Sequence, residues 1–399
     1  RSIDEHPDIP DNERGDLLGE CDLILSFLYY NDISAMSRLH RSASLRMSHP
    51  AISIQSSGGW TFGSPSVLMM FHRSPGRLES ELAEMDECMP HYYKVTRGHG
   101  QGAETIMHAE AAFMRSRFTD AQIALESAYA QIAGNGQENM ALCCDFLAYR
   151  LSLFSDTAPR YSAEERYAVL LSRHDAAWIH IWNAINAYYY ALLRRPEKIP
   201  PVFAEHRLNT INFLAPGKPM MELIENQVYL AQGAYATVIG RSEGLLGMCD
   251  AMHYALVALH IRIQTAAAYE MLGKHDDARK LLSHALSDAE PDGFVTPFAE
   301  NYGYIKSLPD ITPQIAMLGT MLEERQTEKA CPAALAALTP RECEIVSLIS
   351  DRLSNREIAE RLYLSEGSVK QYVNQIYSKL SIEGDTRTKR SRLCELAKS

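Results

Sequence analysis

The sequence predicts an all-α fold, in which a long array of helix pairs is followed by a small helical domain. Apolar residues recur at steps of three and four along most of the 399 residues, which is the spacing of one face of an α-helix. Alternating apolar and polar residues are scarce, and the strongest strand candidate, residues 51–54, is short. A composition of 46% hydrophobic and 22% charged residues excludes wholesale disorder.

The helix pairs are clearest in two segments of the predicted array, which spans residues 1–322. In residues 103–133, small residues such as Ala109 and Ala121 lie where two helices would touch. In residues 261–291, Gly273 opens the turn between two amphipathic helices. Both segments resemble the tetratricopeptide pattern of small and aromatic residues, so a tetratricopeptide-like superhelical array is expected.

Weaker copies of this turn chemistry occur at residues 30–33, 74–77, 194–196 and 233–235. The step from Gly233 to Gly273 is 40 residues, which is longer than the tetratricopeptide period of about 34. Stacked pairs bury their apolar stripes against one another and leave a concave surface. A non-repetitive helical bundle is the alternative.

A second domain is predicted at residues 338–399, after a polar linker at 323–337 that Pro332 interrupts. Its helices begin at capping residues, and two of these starts are capping boxes. The capping positions are Thr339 with Glu342, Ser354 with Glu357, and Ser365. A third helix is expected at 366–380 and a fourth at 388–398. Two short helices joined by a tight turn are typical of a DNA-reading helix-turn-helix.

The domain resembles the helix-turn-helix of the LuxR family of bacterial transcription regulators. Five motifs in order carry the resemblance: Leu338-Thr339-Pro340-Arg341-Glu342, Ser354-Asn355-Arg356-Glu357-Ile358-Ala359, Leu364-Ser365, Ser368-Val369-Lys370, and Ile376-Tyr377 with Lys379-Leu380. Two positions depart from it, since Tyr372 stands where the family often has His and Gln375 where Asn is common. The resemblance implies double-stranded DNA as ligand, RNA polymerase as partner, and a homodimer across two half-sites.

The candidate DNA contacts lie on the third helix of this domain. Lys370, Gln371 and Asn374 match the family's base-reading positions, and their side chains suit guanine and adenine edges. Ser365, Ser368, Tyr372 and Lys379 suit phosphate contacts. For each, a solvated helix face is the alternative. From Lys370 onward the chain has 7 basic and 3 acidic residues, whereas the whole chain carries a net charge of −11, so only this end is expected to bind DNA.

The whole arrangement resembles the C-terminal half of MalT-like regulators, in which a superhelical array senses an inducer. The resemblance implies a small-molecule inducer or a regulatory protein as ligand of the array. Trp178, Trp182 and Tyr189 cluster with Tyr188 on one predicted helix and are candidate ligand platforms, with core packing as the alternative. Trp60, in a loop rich in Ser and Gly, is a second candidate. No G-x-x-x-x-G-K-[ST] motif occurs, so no nucleotide is predicted.

Several other functions are not supported by the sequence. No run of 18 apolar residues predicts a membrane span, and no leader is visible after Arg1, so a cytoplasmic protein is expected. The eight cysteines have no C-x-x-C spacing and are expected to be reduced, and no cofactor or metal is predicted. Gly240-Arg241-Ser242-Glu243-Gly244 matches a hydrolase elbow but lies in the array, where the motif lacks its strand. We therefore expect no enzyme.

Three functions remain in competition. The first is a transcription regulator gated by a ligand or partner on the array. The second is a protein-binding scaffold with an accessory DNA-binding domain, and the third is an enzyme based on Ser242.

Overall fold

The structure is a computed structural model that describes all residues except 1, 2, 4, 5, 7, 56, 57, 173–175, 328–334, 336, 337, 351, 363, 383 and 397–399. Every regular element of the described chain is helical, which confirms the all-α prediction. The chain divides into two compact units, Arg1–Gln326 and Thr327–Ser399, which we call the array and the module.

The array contains seventeen α-helices among its described residues. They are α1 (Asp11–Ser26), α2 (Ile33–Arg46), α3 (Val67–Phe71), α4 (Leu78–Thr96), α5 (Ala103–Met114), α6 (Phe118–Ile132), α7 (Glu138–Leu151), α8 (Ala163–Ser172), α9 (Ala176–Leu192), α10 (Pro201–Ala204), α11 (Lys218–Ala231), α12 (Tyr235–Met252), α13 (Ala255–Met271), α14 (His275–Ala289), α15 (Thr296–Glu300), α16 (Tyr302–Ile305) and α17 (Pro313–Thr327). Short 3₁₀ turns lie at Phe27–Tyr29, Pro196–Lys198, Leu208–Thr210, Ala215–Gly217 and Glu290–Asp292.

The predicted helix pairs are present as α5 with α6 and α13 with α14, and the members of each pair pack against each other. Ala109, Ala121 and Ala128 are completely buried where α5 meets α6, because small side chains let the two backbones approach. Gly273 turns the chain between α13 and α14 with a φ of 72°, a left-handed conformation that glycine adopts without strain.

The predicted strand at residues 51–54 is wrong, because this segment has no strand partner. Its backbone groups are satisfied by neighbouring helices instead. The N–H of Ala51 donates to the carbonyl of Val95 at 2.7 Å, and that of Ile52 donates to Glu20 Oε1 at 2.6 Å. This segment, in which two of the four residues are isoleucine, therefore lies in an irregular connection between α2 and α3.

The array differs from an open solenoid, because helices far apart in sequence also pack together. Besides neighbouring pairs, α13 contacts α3, and α15 contacts α5. The N–H of Ala255 donates to the carbonyl of His72 at 3.1 Å, and the N–H of Val295 donates to that of Met114 at 2.8 Å. In an ideal solenoid each repeat contacts only its neighbours. Here the last third of the array closes onto its first third.

A buried ion pair lies where these distant helices meet. Arg150 of α7 donates to Glu300 of α15 through Nε at 2.7 Å and through Nη2 at 3.0 Å. Tyr188 of α9 donates to the same carboxylate at 2.8 Å. All three side chains are buried, and the guanidinium also lies 4.8 Å from the ring centroid of Phe113. Complete hydrogen bonding of this kind is what allows charges to be buried.

The predicted linker at residues 323–337 is shorter than expected at both ends. Helix α17 continues through Thr327, because Arg325 donates to the carbonyl of Ser155 at 3.1 Å and the last turn is packed against the array. Leu335 is 1% exposed and belongs to the apolar core of the module. The rest of this predicted linker, residues 328–334, 336 and 337, lies outside the described residues.

The module has four helices among its described residues: α18 (Pro340–Ser350), α19 (Asn355–Leu362), α20 (Glu366–Lys379) and α21 (Thr386–Leu396). Both predicted capping boxes are present, since the N–H of Glu342 donates to Thr339 Oγ1 and that of Glu357 donates to Ser354 Oγ. Helix α21 begins two residues earlier than predicted, because Asp385 accepts a hydrogen bond from the N–H of Thr388 at 2.8 Å.

The cysteines are only partly as expected. Cys21, Cys88, Cys143, Cys144, Cys249 and Cys394 are free thiols. Cys343, in contrast, is disulfide-bonded, so the expectation of reduced thiols is wrong for this residue. Sequence spacing did not indicate this bond, because disulfide geometry depends on distances in the fold.

Candidate nucleic-acid interface

Helices α19 and α20 form the two helices of a helix-turn-helix, and an apolar core holds them in place. Ile358, Ala359 and Leu362 face inward from α19, and α20 contributes Val369, Val373, Ile376 and Tyr377. Helix α20 packs against both α18 and α19. One face of α20 is thereby buried and the opposite face is presented to solvent.

The first turn of α20 is stabilised by the side chains of Ser365 and Ser368. The Oγ of Ser365 accepts the backbone N–H of Ser368 at 3.0 Å, and the two hydroxyls are 2.8 Å apart. Ser365 is exposed and Ser368 is half-buried. Both hydroxyls lie at a helix N-terminus, where backbone N–H groups favour an anion such as a phosphate.

The three predicted base-reading residues are all exposed on α20. The exposed residues Gln375 and Ser378 continue the same surface as Lys370, Gln371 and Asn374. The ammonium of Lys370 is 3.1 Å from Glu366 Oε1, and both side chains are at least half exposed. An exposed ion pair of this kind contributes little to stability, so it costs little to exchange for a DNA contact.

Tyr372 and Lys379 are more engaged in the fold than the sequence indicated. Tyr372 is half-buried and packs against the apolar core of the module. The ammonium of Lys379 donates to Glu342 Oε2 at 2.8 Å, although its side chain keeps 40% of its exposure. Burial raises the pKa of Glu342, but hydrogen bonds from Lys379 and Thr339 outweigh it, so the net pKa is lowered and the carboxylate stays charged.

Two arginines have structural roles that the sequence did not indicate. Arg390 of α21 donates to the carbonyl of Leu353 and to Asn355 Oδ1, and so links α21 to the start of α19. Arg341 donates to the carbonyl of Leu362 at 2.9 Å and so closes the end of α19. Helix periodicity predicts which residues face outward, but not which long side chains fold back onto carbonyl groups.

The aromatic residues proposed as ligand platforms separate into buried and half-buried members. Trp182 is 2% exposed and stands at 87° to the ring of Tyr149, 5.4 Å away. Trp178 and Tyr189 are half-buried and pack against the array core. Trp60 is buried and stacks on Phe71 at 4.9 Å. Trp60 and Trp182 are therefore core residues, whereas Trp178 and Tyr189 keep part of their rings exposed.

The hydrolase-like motif has no catalytic geometry. Ser242 lies in the middle of α12, and its hydroxyl donates to the carbonyl of Ile239 at 2.8 Å. A nucleophile elbow needs a sharp turn between a strand and a helix. Gly98, Gly100 and Gly102 form a glycine-rich segment that connects α4 to α5 with positive φ angles.

The module is a helix-turn-helix domain, and comparison with known proteins identifies its family. Residues 336–390 match the family described as bacterial regulatory proteins, luxR family. The C-terminal module is thus a luxR-family helix-turn-helix domain, as its motifs predicted.

Among the described residues, no helix has the length and apolar character that a membrane span requires.

Three curated relatives show how far the similarity extends. The transcriptional regulatory protein LnrK of Bacillus subtilis (strain 168) is 40% identical over 83 residues, which are 20% of this chain and 37% of the relative. DegU of Brevibacillus brevis is 45% identical over 53 residues, 13% and 22% of the two chains. ComA of B. subtilis (strain 168) is 28% identical over 130 residues, 32% and 59% of the two chains. The chain therefore spans less than two thirds of each of these relatives, from 22% of DegU to 59% of ComA.

Proposed function

We propose that this protein is a sequence-specific DNA-binding transcription regulator that acts in the cytoplasm. The observation that carries the proposal is a luxR-family helix-turn-helix whose α20 presents Lys370, Gln371 and Asn374 to solvent. These side chains supply the donors and acceptors that major-groove edges require. The relatives named above are themselves described as transcriptional regulatory proteins, which supports the same role.

Within this proposal the array is the sensor and the module is the reader. A small molecule or a regulatory protein on the array would control DNA binding, and RNA polymerase would be the downstream partner. A homodimer would place two copies of α20 in half-sites about 34 Å apart, which adds specificity that one short helix lacks. A protein-binding scaffold with an accessory DNA-binding module is the second candidate, favoured by the size of the array.

The test is the loss of selective binding when the lysine of α20 is removed. Bound genomic fragments are first selected and footprinted with the wild-type chain. Lys370→Ala should then bind the footprinted site roughly tenfold or more weakly, because one good base contact is lost. Binding to unrelated DNA should change much less, since phosphate contacts remain.

The matched control is Lys280→Ala, which removes the same charge from an exposed helix position of the array. It should leave the footprint and the affinity unchanged, apart from a small ionic effect. Unchanged affinity of Lys370→Ala for the footprinted site would show that α20 is not the reading helix. Failure of the wild-type chain to select any fragment would favour the scaffold.

A further inference from the structure

A cleft in the array lies between α8, α9 and the 3₁₀ turn at Pro196–Lys198. Its volume is about 360 Å³, which lies within the range of about 300–1,000 Å³ typical of small-molecule sites. Tyr167, Trp182 and Tyr190 line it with aromatic rings, and Asn186 lies among them. An apolar lining with few polar groups is what a small-molecule site requires.

The polar group at the floor of this cleft is an unpartnered hydrogen-bond acceptor. Asn186 is 5% exposed, and its Nδ2 donates to the carbonyl of Trp182 at 2.8 Å. This bond fixes the orientation of the amide, because a carbonyl can pair only with the nitrogen. The Oδ1 of Asn186 has no hydrogen-bond partner among the described residues. A buried acceptor without a donor is costly, so a donor from a bound molecule would stabilise the site.

The neighbouring indole cannot supply that donor. The Nε1 of Trp182 already donates to the carbonyl of Ala163 at 3.3 Å, on the wall of the same cleft. The indole of Trp182 is also only 2% exposed, so the more exposed rings of Tyr167 and Tyr190 form the apolar faces that a ligand can reach. A ligand that fits has a flat apolar face for the rings and one N–H aimed at Asn186.

The rim of the cleft carries one charge of each sign. Lys198 is exposed, and its ammonium lies 5.6 Å from the ring centroid of Tyr190. Glu164, also exposed, lines the cleft from the first turn of α8. A carboxylate and an ammonium on a short ligand tail would complement these two charges.

We propose that this cleft binds a flat heteroaromatic molecule with a ring N–H and a short zwitterionic tail, which is the chemistry of an indole amino acid. The ring would lie against Tyr167 and Tyr190, and the N–H would donate to Asn186 Oδ1. The ligand carboxylate would meet Lys198 and its ammonium Glu164. The proposal rests on the sensor role proposed for the array and names the ligand class for it.

The experiment compares two ligands that differ by one methyl group. The full chain is titrated calorimetrically with L-tryptophan and with 1-methyl-L-tryptophan, which lacks the N–H donor. The wild-type chain should bind L-tryptophan about tenfold or more tightly, since only L-tryptophan satisfies the buried acceptor. Asn186→Leu should bind the two ligands equally, at the level of the methylated one.

Tail contacts are tested with ligands that lack one charge. Lys198→Ala should weaken L-tryptophan and indole-3-acetate but not tryptamine, whereas Glu164→Ala should weaken L-tryptophan and tryptamine but not indole-3-acetate. Both residues are exposed, so neither change threatens folding. Equal affinity of the wild-type chain for the two tryptophan ligands would overturn the proposal. So would no binding up to the solubility limit, or binding of glucose in place of L-tryptophan.

The outcome is separable from that of the proposed function. Binding of L-tryptophan with the predicted Asn186 dependence, in a chain that selects no DNA, would contradict the regulator and keep the cleft. DNA selection by a chain that binds no indole compound would contradict the cleft and keep the regulator.

Discussion

The module and the array are held together in different ways. Each of the four described module helices has a side chain that caps its first turn: Thr339, Ser354, Ser365 and Asp385. In the array, α2, α3, α8 and α17 also have such a cap, from Asp32, Ser66, Ser162 and Thr312, whereas α5–α7 and α11–α14 have none. Every described helix of the module therefore begins at a side-chain cap, whereas the central helix pairs of the array depend on contacts with other helices.

The two units also differ in the partners of their buried charged and polar side chains. Glu342 is the one buried charged side chain in the described module, and it bonds to Thr339, three residues away, and to Lys379, 37 residues away. The array buries Arg150 with Glu300, 150 residues apart. Neither ring nitrogen of the buried His260 has a hydrogen-bond partner among the described residues. Polar groups far from their partners make the array the unit more sensitive to mutation and to pH.

The largest expected effect is on the buried ion pair of the array. Arg150→Met leaves the carboxylate of Glu300 buried with only Tyr188 as a described donor, which should lower the free energy of unfolding by about 3–5 kcal/mol. Urea unfolding followed by tryptophan fluorescence measures the array alone, because Trp60, Trp178 and Trp182 are the three tryptophans of the chain.

Arg279→Met is the matched control, since Arg279 forms an exposed pair with Asp310 at 3.4 Å. Its effect should stay within about 1 kcal/mol. The double variant Arg150→Met/Glu300→Met should recover part of the loss, because no charge remains buried. A loss below about 1 kcal/mol for Arg150→Met alone would show that the closure of the array does not depend on this pair.

The second prediction concerns pH and separates the two units. All 14 histidines lie in the array. Burial, with a smaller contribution from His91, lowers the pKa of His40 to about 3, and burial lowers that of His99 to about 4. Burial also lowers the pKa of His260 well below its usual value, and the charge of Arg150 adds to this effect.

The unfolded chain therefore binds these protons first as the pH falls below about 6.5, so the array loses stability from there downward. Each such histidine contributes up to about 2 kcal/mol between pH 6.5 and 5. Burial raises the pKa of Glu110 to about 7 and also raises those of Asp145 and Glu225, and these carboxyls act in the opposite direction. Urea unfolding at several pH values should show this loss for the array, and hydrogen exchange should show none for the module.

His260→Leu should reduce the pH slope of the array, whereas His275→Gln, at an exposed position, should not. An array whose free energy of unfolding is flat from pH 6.5 to 5 would contradict the assignment of neutral buried imidazoles. If the module lost as much stability over this pH range as the array, the two units would not differ in their pH dependence.

The smallest expected effect is on the module. Glu342→Ala removes the capping box of α18 and the bond to Lys379, and should destabilise the module by about 1–2 kcal/mol. Native-state hydrogen exchange on the amides of α18–α20 measures this change without interference from the array. Glu357→Ala, in the exposed capping box of α19, should cost less. If the two variants were equal, the link between α18 and α20 through Lys379 would contribute nothing.

The predictions that the structure confirms depend on local patterns in the sequence. Capping boxes, the small residues of α5 and α6, and the outward face of α20 all follow from spacings of three and four residues. It failed where the partner is remote or the side chain is long. The strand at 51–54 was wrong because Glu20 and Val95 satisfy that backbone, and no sequence pattern indicated that Arg390 binds the start of α19.

The two candidate sites also differ in whether a local sequence pattern could predict them. Lys370, Gln371 and Asn374 could be named from the sequence, because a helix face is a periodic pattern. The cleft around Asn186 could not, because α8, α9 and a 3₁₀ turn build it together. No spacing shows that one amide oxygen of Asn186 lacks a donor.

By itself the sequence determined the helical class, the capped helices of the module and the side chains that its α20 offers to DNA, because these depend on hydrogen bonds and periodicity within a few residues. Only the tertiary structure decided that the array closes through Arg150 and Glu300, that His260 stays neutral, and that a cleft opens beside Trp182. Each of these depends on which distant side chains exclude water from one another, and burial of that kind exists only once the chain has folded.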